Sequence, residues 1–302
     1  MNLMVSAIGQ GLLWGLLGLG LYISFRILNI TDMTVEGTFP LGAVISVTLI
    51  SHGFNPLLAT LIAFLGGMFA GLITGLLYTK GKIPPILAGI LVMTAIYSIN
   101  LRIMGRSNIS LLGCKTLFSN KFLLRLPKYF DNVFLGLTVM VVITTIVILF
   151  LQTDYGQAFI ATGDNPKMAK SLGIKTDNTI IAGLMGSNGL VAVCGALIAQ
   201  SNGYADINMG LGTIVIALAS IIIGEVAFGE LTLNQRLVAV TLGSILYRLI
   251  ILCVLQLGFS TNDLNLLSSI VLAICMMIPR FDKLFKIKKT ILRSVKLSLI
   301  HI

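Results

Sequence analysis

Charge is what this sequence has least of. Only 11% of its 302 residues are Asp, Glu, Lys or Arg, against about a quarter in soluble domains. A soluble globule needs that charge to cover its apolar interior. With 56% hydrophobic residues and a mean hydropathy of +0.99, the chain reads instead as a polytopic membrane protein, since lipid accepts what water does not. Cysteine is scarce as well: four residues, at 114, 194, 253 and 275, are scattered, and three of them lie inside apolar runs. Neither a disulfide framework nor metal-ligand spacing is present, and the thiols act as small hydrophobes. There is no H-E-x-x-H, no G-x-S-x-G, no Walker A motif and no His/Cys cluster, so nothing marks an enzyme, an intramembrane lipid-modifying one included. The first apolar run lacks both a basic n-region and an A-x-A-like site, so no cleavable signal peptide is expected.

What charge there is leans positive, for a formal net of +10. The basic residues sit in loops that flank apolar runs and in the tail, which points to anionic lipid headgroups rather than nucleic acid. The apolar runs predict spans at 6–28, 56–78, 83–103, 133–151, 179–200, 211–228, 237–257 and 264–278. A shorter run, 39–50, is marginal for a full crossing, so the fold expected is an all-α membrane bundle of eight to nine spans. The polar stretch 29–38 before that run predicts a broken helix whose irregular part lies at membrane depth, packed in protein or lining a cavity. Residues 1–279 make up the membrane part and 280–302 a basic tail. In the tail, Leu284, Ile287, Ile291 and Val295 share one helical face opposite lysines, the pattern of a helix lying in the headgroup plane. Its Arg280, Lys283, Lys286, Lys288, Lys289, Arg293 and Lys296 place the C-terminus in the cytoplasm. Counting back puts 229–236, 153–177 and Lys80/Lys82 inside too. The interval 104–132 runs against the rule: it carries five basic residues yet counts as external, which leaves open an interfacial helix docking an external partner.

The polar interval 153–177 is the best punctuated in the chain. Asn165 suits an N-cap, Pro166 the first helical position and Gly173 a left-handed stop, which predicts a two-turn helix over 166–172. Met168 and Leu172 fall one turn apart on one face, while Lys167 and Lys170 reach solvent. Spacing alone leaves two readings, a solvated loop or a peg that presses into another protein.

The membrane-depth carboxylates carry the rest of the chemistry: Asp32, Glu36, Asp206 and Glu225, with Arg248 inside an otherwise apolar run. An ionised group at the centre of a bilayer costs roughly 2.5–3.5 kcal/mol on insertion scales, which a partner or a wet cavity must offset. Pairing of Arg248 with Glu225 or Glu230 is the plainer account, an ion pathway the other. Asp32 and Asp206 suit caps of half-helices. The segments 32–39 and 206–213 are alike, and each lies between two apolar spans. An odd number of crossings between them would make the halves an inverted repeat, with a substrate route near the pseudo-two-fold axis.

At these residues the chain meets a family. Tyr155-Gly156-Gln157-Ala158, Gly163-Asp164-Asn165-Pro166, Ala169 and Leu172-Gly173-Ile174, followed by a span with Gly195-Ala196-Leu197, resemble the branched-chain-amino-acid-type permeases of ABC importers. The resemblance extends to 28–43 and covers nearly the whole chain. Through Asn202-Gly203-Tyr204-Ala205-Asp206 and Thr261-Asn262-Asp263-Leu264 the sequence is most similar to permeases of tryptophan/tyrosine transport. It departs from the family at Gln157, where a basic residue is frequent, and at Thr34-Val35-Glu36. The resemblance implies a bacterial plasma-membrane subunit that pairs with a second permease copy, two cytoplasmic ATPases and an extracytoplasmic substrate-binding protein. It implies no cofactor on the permease itself, ATP and Mg being bound by the partner ATPase. By the same implication Tyr155, Gly156, Gly163, Asp164, Asn165, Pro166, Met168, Ala169, Leu172 and Gly173 form the ATPase-coupling elbow. Asp32, Glu36, Thr38, Asn202, Asp206 and Asn208 would line the translocation path. The rival reading is an ion-coupled secondary transporter or channel using Asp32, Glu36 and Asp206 as relay carboxylates.

Overall fold

In the computed structural model, which describes residues 2–119, 130–229, 231–257 and 266–277, the chain is almost entirely helical. Helix α1 (Asn2–Tyr22) runs into a π-turn (Ile23–Ile27), and an irregular segment, 28–34, leads to α2 (Val35–Ser51). Helices α3 (Pro56–Thr79) and α4 (Pro85–Met104) follow, then strand β1 (Asn108–Ser110) and a 3-10 turn (Leu117–Ser119). Helix α5 (Phe130–Gln152) leads through two short helices, α6 (Asp154–Asp164) and α7 (Pro166–Ser171), to α8 (Thr176–Asn202). Strand β2 (Tyr204–Asp206), a second 3-10 turn (Ile207–Gly210), α9 (Thr213–Phe228), α10 (Leu233–Gln256) and α11 (Leu266–Met277) complete it.

Among the described residues seven helices are long and apolar enough to cross a membrane, and α2 and α11 are shorter apolar ones. Together they make up the eight to nine expected. The helix starts follow from local chemistry. Pro56 and Pro85 occupy first-turn positions where the missing N–H loses no bond. The Asn55 side chain accepts from Leu57 N at 2.9 Å, and Thr232 with Gln235 forms a reciprocal capping box for α10.

The bundle is organised on α8, the most buried of the seven. In lipid there is no hydrophobic drive for helices to associate, so close backbone approach has to do it. A seam of small residues provides that approach. A Cβ added to Gly67, Gly71 or Gly75 of α3 would overlap α8 at Asn188, Leu184 or Ile181, and one added to Gly42 of α2 would strike Ala192. Leu16, Leu17, Leu184, Leu197, Ile221 and Leu237 fill the centre between α1, α8, α9 and α10.

The two ends of the bundle differ. Ser201 Oγ donates to Asn132 Oδ1 at 3.0 Å, which joins the end of α8 to the start of α5. At this end β1 pairs antiparallel with β2, Asn108 opposite Asp206. The ladder is the one departure from an all-α fold among the described residues. It also changes the reading of 104–132: the described part holds β1 and a 3-10 turn rather than an interfacial helix, because the 108–110 backbone pairs with 204–206. Residues 120–129 of that interval lie outside the described residues, as do Glu230, 261–264 and the basic tail 280–302. Helices α6 and α7 sit at the opposite end, beyond the 23 residues of α5, a rise of about 35 Å.

The break at 28–34 is as expected, and it lies deep. Asn29 takes φ 55°, a left-handed conformation Asn tolerates, and Asp32 is only 3% exposed. Between the two alike segments stand α2, α3, α4, α5 and α8, the odd number an inverted arrangement requires.

Candidate functional site

The elbow between α5 and α8 is built from its own capping groups. Thr153 Oγ1 accepts from Gly156 N at 3.2 Å and opens α6, and Asn165 Oδ1 accepts from Met168 N at 3.1 Å and opens α7. Leu172 closes α7, and Gly173 turns the chain at φ 85°, open to glycine without strain. The helix predicted over 166–172 is thus present as Pro166–Ser171. Helix α6 was not foreseen, although Thr153, the acidic first-turn residue Asp154 and the i, i+4 pair Tyr155/Phe159 announce it. Phe159 is buried against Phe150, ring centroids 5.7 Å apart, and fastens α6 to the end of α5.

Two contacts decide what the elbow can transmit. Ala169 is fully buried, whereas Met168 and Leu172 are 48% and 70% exposed, so an apolar pair projects from an anchored helix. Gly163 lies so close to the Ile27 carbonyl and Leu28 Cα that a Cβ there would overlap both. The base of the elbow therefore rests on the π-turn where α1 ends. Tyr155 is half-exposed beside Phe150, and Asp164 closes α6 on the exposed side.

The six residues expected along a path fall into three environments. Asp32 and Thr38 belong to a buried network centred on a residue sequence reading passed over, Asn188. Asn188 Nδ2 donates to Asp32 Oδ2 at 2.6 Å, and Thr38 Oγ1 donates to Asn188 Oδ1 at 2.8 Å. Asp32 Oδ1 accepts from Thr34 N at 2.9 Å, and the Thr34 and Thr74 hydroxyls meet at 2.8 Å. The carboxylate at membrane depth is thus satisfied by neutral donors. Asn188 is an amide midway along an apolar run, a signal of the same kind as the carboxylates and one that could have found it.

Asp206 and Asn202 lie at the ladder end. Asp206 Oδ1 accepts from Asn208 N at 2.7 Å and Oδ2 from Asn108 Nδ2 at 3.4 Å, while Asn202 is the last residue of α8. Asp32 and Asp206 make the same bond to the amide two residues on, so the likeness of their segments extends to local geometry.

Glu36 and Asn208 form the third environment, the wall of one cavity. Glu36 Oε1 accepts from Gly212 N at 3.2 Å. Gly212 adopts φ 78° just before α9, which aims that N–H back at α2. The cavity encloses about 250 Å³ between α2, α4 and the turn before α9, and its wall includes Met93, Tyr97 and Asn100 of α4.

Arg248 does not pair with Glu225. Its guanidinium carbon sits 4.5 Å from the Trp14 ring centroid, over the face, a cation–π contact. Arg248 is fifteen residues into α10 (Leu233–Gln256), about 22 Å along the axis. Glu225 lies in the last turn of α9, beside the start of α10, where Arg26 of the π-turn holds both its carboxylate oxygens.

The comparisons agree with this architecture. Residues 3–278 match the family model described as "Branched-chain amino acid transport system / permease component". The chain is 41% identical over 272 residues to the tyrosine transport system permease protein of Clostridioides difficile, covering 90% of each. It is 37% identical over 279 residues to a Rickettsia prowazekii protein, covering 91% of this chain and 96% of that one. Its fold is similar to a chain in the structure of PsaBC from Streptococcus pneumoniae in complex with Fab, with a TM-score of 0.51 at 14% identity, covering 91% and 89%. A match of this extent, with seven helices among the described residues long and apolar enough to cross a membrane, identifies a multi-pass membrane protein, and the chain belongs to the permease-component family of branched-chain amino acid transport systems.

Proposed function

We propose that this permease is the membrane subunit of an ATP-driven amino-acid importer, working with a second permease copy, two cytoplasmic ATPases and an extracytoplasmic binding protein. The observation that carries this reading is the elbow: a short helix with Met168 and Leu172 exposed, whose base at Gly163 is seated on Ile27. In this reading α7 sits in a groove of the ATPase, which binds ATP and Mg, and the permease hydrolyses nothing. Movement of the ATPase pair carries α6 and α7, and the Gly163–Ile27 contact passes it to the π-turn and to 28–34. A π-turn is a frequent place for a helix to yield. The energy enters as a difference in contact between α7 and two ATPase states, for equal contact with both would shift nothing.

The elbow and the C-terminus lie in the cytoplasm, the ladder outside. An aromatic amino acid is the proposed cargo, supported by the tyrosine-transport description of the Clostridioides difficile relative. The ion-relay alternative fares worse, since Asp32, Glu36 and Asp206 occupy three separate environments and each oxygen of Asp32 already accepts from a neutral donor. The deciding experiment is co-purification of the ATPase with the wild type and with Pro166→Gly/Leu172→Asp. The wild type is expected to retain the ATPase in stoichiometric amount and the double variant to lose it; retention by both rejects the coupling role of α7.

A further inference from the structure

The cavity between α2, α4 and the turn before α9 holds two features that internal packing does not explain. Asn100 is 1% exposed, lines the cavity, and neither its amide oxygen nor its amide nitrogen has a hydrogen-bond partner. Buried amides are almost always paired, so an orphaned one in the wall of a cavity points to a ligand that completes it. On the same wall, Glu36 takes a single N–H from Gly212, and neither ion pair found among the described residues involves it. A carboxylate in such a wall is offset by water or by a partner charge, and a cationic group entering the cavity would supply the second. Met93, Tyr97 and Leu211 make much of the remaining lining apolar, beside the polar Thr94 and Asn208, and about 250 Å³ is room for one aromatic side chain with its polar head.

We infer that this cavity is a cargo subsite for a neutral amino acid with an apolar side chain, its ammonium on Glu36, its carboxylate on the Asn100 amide nitrogen and its side chain against Met93, Tyr97 and Leu211. The inference rests on reading the chain as an amino-acid permease and gives that permease a selectivity of its own. The arrangement separates the two poles of a zwitterion. The free oxygen of Glu36 takes the positive end, and Asn100, whose amide nitrogen donates, takes the negative one. Gly37 and Gly210 hold the walls together, because a Cβ on either would meet Met93 or Pro40.

The test is a heat-denaturation series on the full-length permease in nanodiscs, with millimolar L-phenylalanine, phenethylamine or 3-phenylpropionate. Wild type is expected to be stabilised by phenylalanine, less by phenethylamine and not by phenylpropionate, which lacks the ammonium. Glu36→Gln, close in shape, should lose the response to both amines. Asn100→Leu should raise the melting temperature of the empty protein, since it removes an unpartnered buried amide, and should lose the response to phenylalanine. Thr48→Val removes another buried unpartnered polar atom, the Thr48 hydroxyl, and should leave the ligand responses intact. An equal response to phenylpropionate, an unchanged response in Glu36→Gln or Asn100→Leu, or no response in wild type overturns the subsite. No ATPase is needed in this assay. A chain that fails to hold an ATPase yet shows the amine-selective response would sink the importer reading alone, and the reverse result would sink the subsite alone.

Discussion

The guanidinium of Arg26 grips both oxygens of the Glu225 carboxylate, its Nε 2.8 Å from Oε1, and so ties the π-turn after α1 to the last turn of α9. The pair is bidentate, which favours it, but the Arg26 side chain is 46% exposed, which screens it. A double-mutant cycle with Arg26→Ala and Glu225→Ala is expected to give a coupling of about 1 kcal/mol. The reversed pair, Arg26→Glu with Glu225→Arg, should recover part of what either reversal alone loses. Unfolding in mixed micelles measures both.

Asn188 is the larger liability. It gives Asp32 a donor at 2.6 Å and takes the Thr38 hydroxyl at 2.8 Å, all three residues being buried. Asn188→Leu strands the carboxylate with its local turn bond and is expected to destabilise the fold by roughly 2–3 kcal/mol, the range for losing a hydrogen bond to a charged group. Asp32→Asn combined with Asn188→Leu should recover part of that loss. The same micelle assay reads it, and additive effects would refute the link.

Gly163 tests whether the elbow is seated where coupling needs it. A valine there would collide with Ile27 and Leu28, and overpacking of this kind costs about 1–3 kcal/mol. Because Met168 and Leu172 are untouched, Gly163→Val should still hold the ATPase in a pull-down while ATP-driven uptake by the complete transporter falls sharply. Uptake at the wild-type rate would separate the Gly163–Ile27 contact from transmission.

Asn165→Ala removes the cap accepted from Met168 N. Loss of such a cap costs about 1 kcal/mol of local helix stability. The expected result is faster amide exchange in α7 with α8 unchanged, and ATPase affinity reduced rather than abolished. Asn165→Asp, which keeps the acceptor, should restore both.

Spans, caps and stops were legible because they are local. Proline at positions 56, 85 and 166, the cap at Asn165 and the left-handed Gly173 act on their own neighbours, and lipid dictates about twenty apolar residues per crossing. The partners of membrane-depth polar groups were not legible. Arg248 looked like the mate of Glu225 until the length of α10 put them at different depths, and Asn188 and Asn100 passed unremarked as single amides in apolar runs. The β1–β2 ladder was invisible for a related reason: three residues carry no periodicity, and their partners lie almost a hundred positions away.

By itself, then, the sequence determined the membrane class, the broken helix at 28–34 and the elbow helix at 166, each set by hydropathy or by backbone chemistry within one or two turns. Tertiary structure alone decided that Asp32 and Glu36, four positions apart, face different worlds. One is buried against α8 with a neutral donor on each oxygen; the other lines a cavity together with Asn100. Only the entry into α2 separates them, and which side of it meets a neighbour depends on how whole helices pack.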